Sequence, residues 1–261
     1  MRGRTALLAH CAWSRDPDRA AEYARLAVDS LRQFIDREPE AATVGFAYGL
    51  AARAQLLFDN TENAILLTAK CLESNLSDRD RQACLTLRAE ARRRANRLDE
   101  AEEMLKEAIR YSKTDKNALL DGYFELGSVQ RLNNHLVEAK ESFRKAFEIV
   151  RMDPQGFSSN DSIAEMHSNM GAVHYDLGEY REGALEYKET IRRCDQNVSL
   201  RDNATLWLGH CYYASGNYRE ARESYLHLLA SPQASEEQKG EAQEGVAKTY
   251  YYINQGNTST R

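Results

Sequence analysis

Residues 170–188 read MGAVHYDLGEYREGALEYK, and the same frame returns at 208–226 as LGHCYYASGNYREARESYL. Superposing the two puts Gly171 on Gly209, Gly178 on Gly216, Tyr180 on Tyr218, Gly183 on Ala221 and Tyr187 on Tyr225. A pattern that recurs at a fixed spacing points to an architecture before any residue in it points to chemistry. The template is a small residue followed by a bulky one at +9, a small one at +12, a bulky one at +16 and a small one at +19. It continues upstream as Gly127, Leu136, Ala139, Phe143 and Ala146, and before that as Ala89, Leu98, Ala101, Leu105 and Ala108. Looser copies run Ala52, Thr61, Ala64, Thr68, Cys71 and Leu8, Pro17, Ala20, Ala24, Ala27.

The spacing predicts pairs of packed helices. Two helices approach closely only where a small residue on one faces a large residue on the other, so Gly171 is expected opposite Tyr187. Ala139, Gly183 and Ala221 let the second helix of each pair come near the first. Gly178 and Gly216 fall where the first helix stops, in the place of a left-handed cap. Asp16-Pro17 suits a helix start. Ser235 followed by Gln238 offers a capping box for a last helix over 236–253, with Val246, Tyr250 and Ile253 on one side.

These residues resemble the tetratricopeptide repeat family, whose unit is two antiparallel helices. The resemblance runs from residue 1 to about 230, in repeats at 1–36, 45–75, 82–113, 120–151, 164–195 and 202–231. Successive copies are 44, 37, 38, 44 and 38 residues apart, against the family's usual period of about 34. Lengthened repeats of this kind occur in kinesin light chains and in bacterial peptide-sensing regulators. The resemblance implies an all-α fold, a right-handed α-α superhelix of six helix pairs plus one C-terminal helix. It would form a single domain over 1–254 with a flexible tail at 255–261. The longer steps are expected to hold linkers at 37–43 and 152–162.

In this family the first helices line a concave groove. Carried over position by position, the groove would present Thr86, Glu90, Arg93 and Arg94, then Phe124, Glu125, Ser128 and Arg131. Further on it would present Ser168, Asn169, Tyr175 and Asp176, and then Trp207, His210 and Tyr213. Asn169 holds the place of an asparagine that hydrogen-bonds the backbone of an extended ligand. The carboxylate clamp of the chaperone-binding subgroup is not matched, since Phe124, Ser128, Asn203 and Trp207 occupy its other positions.

The rest of the sequence bears on function class. Of 261 residues, 42% are apolar and 29% charged, which describes a globular chain. The net charge of −5 argues against nucleic acid or an anionic membrane as partner. The five cysteines lie far apart with no C-x-x-C, so no disulfide framework or zinc knuckle is expected, and the setting is read as reducing and cytoplasmic. The apolar run Ala6–Trp13 is too short to span a membrane. It makes the first helix apolar over much of its circumference, as expected if that end meets a second subunit or another element of a longer protein.

No motif for catalysis stands out. The glycines of 170–188 form no phosphate-binding loop, and His167 and His174, seven residues apart, are two turns from sharing a metal. No cofactor is expected. Residues 79–97 carry seven arginines, followed by Asp99, Glu100, Glu102, Glu103 and Glu107. One reading is a charge-paired hairpin. The other turns Arg93 and Arg94 into the groove with Arg53 and Arg131, as a positive stripe for an acidic peptide or a terminal carboxylate. The function that follows is a non-catalytic scaffold binding a protein or peptide segment. A regulator domain sensing a short peptide or effector is the alternative, and an enzyme with a site between helices the third.

Overall fold

The computed structural model describes residues 17–37, 43–112, 115–153, 160–194 and 196–258. Among them every regular element is an α-helix. In chain order these are α1 (Pro17–Arg37), α2 (Val44–Leu57), α3 (Thr61–Glu73), α4 (Asp78–Arg94), α5 (Leu98–Tyr111) and α6 (Lys116–Leu132). There follow α7 (Leu136–Met152), α8 (Asn160–Asp176), α9 (Tyr180–Arg193), α10 (Val198–Ala214), α11 (Tyr218–Leu229) and α12 (Glu236–Thr258). The expected all-α helical-repeat class is observed. The apolar opening stretch, and the self-association expected of it, lie outside the described residues. None of the described helices is long and apolar enough to cross a membrane.

The template accounts for where the helices begin and what they bury. Thr61, Leu98, Leu136, Tyr180 and Tyr218, all at +9, are the first residues of α3, α5, α7, α9 and α11. The +12 residues Ala64, Ala101, Ala139 and Ala221 are fully buried, and so is Phe143 at +16. Small side chains at +12 let the second helix settle on the first with little loss of conformational entropy.

Each first helix that ends within a unit does so in the same way. Asp59, Asn96, Asn134, Gly178 and Gly216 have φ of 56°, 57°, 61°, 77° and 80°. This left-handed residue turns two backbone N–H groups back onto carbonyls that the helix leaves unpaired. After α10, Gly216 N donates to Tyr213 O at 3.0 Å and Asn217 N to Tyr212 O at 2.8 Å. After α4, Asn96 N donates to Arg93 O at 3.0 Å and Arg97 N to Arg92 O at 2.8 Å. Only glycine, and less readily asparagine or aspartate, adopts that φ.

The chain divides into two compact units, Met1–Asn134 and His135–Arg261. In the first, Leu31 of α1 packs on Ala47 and Ala51 of α2. Ala52 and Leu56 of α2 meet Ala64 and Ile65 of α3 and Leu87 and Ala91 of α4. Ala89 of α4 meets Ala101 and Leu105 of α5 and Leu126 and Val129 of α6. In the second unit, Ala184 and Tyr187 of α9 pack on Ala204, Leu208 and Cys211 of α10. Leu206 of α10, Ala221, Tyr225 and Leu228 of α11 and Ala242 of α12 form the next cluster. A Cβ on Gly171 would stand 3.1 Å from the Tyr187 ring, the notch and knob expected of that pair. Ser235 and Gln238 close the capping box of α12: Ser235 N donates to Gln238 Oε1 at 3.0 Å and Gln238 N to Ser235 Oγ at 3.1 Å. That helix continues to Thr258, beyond the expected end at 253.

Candidate functional site

In the first unit the first helices α4 and α6 flank a cavity of about 340 Å³. Thr86, Glu90 and Arg93 line it from α4, and Asp121, Phe124 and Glu125 from α6. Helical periodicity places these residues on one side: 86, 90 and 93 recur at i, i+4 and i+7, and 121, 124 and 125 at i, i+3 and i+4. Five of the six are positions the repeat frame assigns to the inner face, and Asp121 is the one it omits. Burial pushes the Asp121 carboxyl above its ordinary range, helped by the nearby Asp115. Arg93 Nε is buried and donates to no protein acceptor. Thr86 Oγ1 is tied to its own helix, donating to Gln82 O at 3.1 Å.

Arg94 does something else. Its Nη1 donates to Leu56 O at 2.8 Å and its Nη2 to Glu90 Oε1 at 2.6 Å, with Asp59 Oδ1 at 3.9 Å. Leu56 lies in the last turn of α2, and its carbonyl accepts from the turn at Asp59 N, 3.2 Å away, in place of a regular helical donor. The guanidinium adds a second donor, and with it a positive charge at the negative end of the helix dipole. Arg53, exposed on α2, lines a different cavity with Phe46, Cys71 and Cys84. Arg131 is half-buried in the last turn of α6. The arginines that sequence spacing lines up are thus spread over distinct surroundings. Two others hold hairpins together: Arg92 pairs with Glu100 on the second helix, and Arg97 reaches Glu62 of the preceding hairpin at 3.3 Å.

In the second unit the nominated residues are largely packed. Asn169 Nδ2 donates to Glu165 O of its own helix at 2.9 Å, so the amide nitrogen is turned along α8. Tyr175 lies edge-on to Trp207, with centroids 5.1 Å apart, and to Tyr180 at 5.3 Å. Burial raises its phenol pKa. Trp207 also stacks on Tyr187 and meets the His210 ring at 5.2 Å. Tyr213 sits edge-on to Tyr218 and Tyr252, which stack at 4.6 Å. Asp176 is exposed at the end of α8.

His210 is the most connected of these residues. Its Nδ1 is 2.9 Å from the Tyr225 hydroxyl and its Nε2 3.5 Å from Glu241 Oε2. Burial lowers its pKa, against the pull of Glu241. The neutral ring that suits both neighbours accepts from the tyrosine at Nδ1 and points Nε2–H at the carboxylate. The network joins α10, α11 and α12. Repeat logic marked Tyr225 as a packing knob and did not reveal that its hydroxyl finds a partner.

Two other histidines pair with acids. His167 Nδ1 lies 2.6 Å from Glu186 Oε2, and His174 Nδ1 lies 2.6 Å from Glu179 Oε2. Glu179 also accepts from Lys140 at 2.6 Å, and the lysine first and the histidine second hold its carboxyl below the usual range. Among the described residues no group of three His, Cys, Asp or Glu side chains could hold a metal ion.

Comparison with known proteins finds one family model that matches a segment of the chain, and solved structures that share its fold. Residues 169–235 match the model of the tetratricopeptide repeat. No curated protein matches the chain in sequence. Among solved structures, the apo form of RapI superposes with a TM-score of 0.72 at 11% identity, over 88% of this chain and 69% of that one. The C-terminal part of a TPR repeat-containing protein from Cytophaga hutchinsonii gives 0.68 at 15% identity, over 94% and 90%. The APC/C hetero-tetramer Cut9–Hcn1 gives 0.66 at 14% identity, over 95% of this chain and 42% of that one. Residues 169–235 thus match the tetratricopeptide repeat, and the chain as a whole shares the helical-repeat fold of these structures.

Proposed function

We propose that the chain is a non-catalytic scaffold that binds a protein or peptide segment on the face carried by its first helices. Tetratricopeptide-repeat folds generally mediate protein–protein interaction, and the neighbour Cut9–Hcn1 is itself an assembly of different chains. The observation that carries the reading is the cavity between α4 and α6, where five residues nominated from the repeat frame line one concave space. Such a space takes a side chain of an extended segment and fixes its register.

The charge of the lining refines the partner. Asp121 and Glu125 line the cavity with Arg93, while Glu90 is paired with Arg94, so a segment of mixed charge, with a basic side chain, suits it better than an acidic one. With Arg94 engaged at Leu56, the cation available there is Arg93. The net charge of −5 keeps nucleic acid out of the reading, and the buried thiols of Cys71, Cys84 and Cys211 favour a reducing, cytoplasmic setting. No specific observation favours the sensor alternative.

Selection of displayed random peptides on the immobilised full chain tests the proposal. Enriched peptides should lose binding to Arg93→Glu and to Glu125→Lys, and keep it with Val137→Ser, an exposed position elsewhere. Peptides indifferent to both charge reversals would put the binding face somewhere else.

A further inference from the structure

Cys71 and Cys84 are both buried and both free, although 13 residues separate them in sequence and they sit on different helices, α3 and α4. They line the same cavity, about 100 Å³ in volume, between α2, α3 and α4. The Cys84 thiol donates a hydrogen bond to Thr68 O at 3.5 Å, and the two thiols are close enough to shift each other's titration. The two sulfurs are therefore neighbours facing a shared space. That space reaches the surface beside Phe46, which is 43% exposed, and Arg53.

We propose that Cys71 and Cys84 form a peroxide-reactive dithiol, with Cys71 as the attacking sulfur and Cys84 as the resolving one. The size of the cavity selects the oxidant. A water molecule claims roughly 30 Å³, so hydrogen peroxide fits and a tripeptide disulfide such as oxidised glutathione does not. The charge pattern assigns the roles. The neighbouring Cys84 lowers the Cys71 pKa, assisted by the Gly49 backbone and Arg81 and opposed by burial and Asp80. Cys84 holds its proton on Thr68 O, and its neighbour Cys71 and burial push its pKa up. Thiolate is the nucleophilic form, so Cys71 reacts first.

The chemistry balances without another reactant. Cys71 thiolate attacks one peroxide oxygen, the O–O bond breaks, and the departing hydroxide takes a proton to leave as water. Cys71 is now a sulfenic acid, oxidised by two electrons. Cys84 sulfur then attacks the Cys71 sulfur, its thiol proton goes to the leaving hydroxyl, and a second water departs. Two thiols and one peroxide become one disulfide and two waters, and α3 is tied to α4.

Mass mapping on the full-length reduced protein tests this. After hydrogen peroxide and then iodoacetamide, digestion should yield a peptide pair linked through Cys71 and Cys84, with Cys194 and Cys211 alkylated on denaturation. Cys84→Ser should hold the intermediate, read as a dimedone adduct on Cys71, and Cys71→Ser should give neither adduct nor link. Oxidised glutathione at equal concentration should react roughly tenfold or more slowly. Unlinked, alkylatable Cys71 and Cys84 in the peroxide-treated wild type would overturn the proposal, and that result needs no variant to fold. A link to any other cysteine, or a dimedone adduct on Cys84 first, would overturn it equally. Glutathione reacting as fast as peroxide would refute the route through the cavity.

Discussion

Tyr225 stands so close to Gly209 that a Cβ on the glycine would lie 2.5 Å from ring Cε1. The opposite edge of the ring meets Gly245 in the same way, with a Cβ there 2.5 Å from Cε2. One aromatic ring is held between the backbones of α10 and α12. Gly209→Ala and Gly245→Ala should each destabilise the protein by roughly 1–3 kcal/mol through overpacking. Gly240→Ala on α12, where a Cβ meets nothing within 4 Å, should instead be neutral or raise stability by up to about 1 kcal/mol. Thermal unfolding of the three variants checks both signs. A neutral Gly209→Ala would contradict the pairing.

The helix-ending residues separate side-chain packing from backbone strain. Gly216 has φ of 80° and open space around it, so Gly216→Ala should cost about 1 kcal/mol through conformation alone. Asn96→Gly, at φ 57°, should be neutral or slightly stabilising, by a few tenths of a kcal/mol. Chemical denaturation with unchanged m-values would show that both act on stability and not on compactness.

Arg94 and Arg93 are adjacent in sequence and should behave oppositely. Arg94→Ala removes one of two donors to Leu56 O and should lower stability by about 0.5–1.5 kcal/mol. Arg93→Ala should leave the melting temperature nearly unchanged while weakening selected peptides. Measuring melting and binding on the same preparations separates the two roles. An Arg93 variant that melts early and binds normally would reverse the assignment.

His210 should give the protein an acid-sensitive limb. Burial depresses its folded pKa below the ordinary 6.5, so the unfolded chain takes up the proton first as pH falls. Its contribution to stability is full above 6.5, declines as pH drops below 6.5 towards the folded pKa, and then levels off. His210→Gln should flatten that decline in a series of melting curves. Glu241→Gln should deepen it, because the carboxylate favours the protonated ring and Lys248 opposes it. A limb of equal steepness in wild type and His210→Gln would assign it to other groups.

The fold was legible because the repeat acts through size. Small residues at +12 and bulky ones at +16 leave a periodic mark in the letters, and the helix starts at Thr61, Leu98, Tyr180 and Tyr218 follow from it. Gly178 and Gly216 were readable as helix stops for the same reason, since glycine is the default at positive φ. Asp59, Asn96 and Asn134 were not, because asparagine and aspartate serve equally as N-caps and turn residues at negative φ. The inner face of α4 and α6 was legible from periodicity, except for Asp121, one turn before the assigned positions. Rotamer choices were not legible. Nothing in the letters tells that Arg94 folds back to Leu56, that Asn169 bonds to Glu165, or that Tyr225 finds His210.

The shared stop after each first helix has a genetic corollary. Two backbone bonds and one left-handed residue complete it within six residues of chain, such as Tyr212–Asn217. A segment copied in frame from one such stop to the next therefore arrives with a working joint at each end. Chains of this kind can lengthen or shorten by whole hairpins in a single duplication or deletion. What must then diverge, substitution by substitution, is the lining between neighbouring first helices.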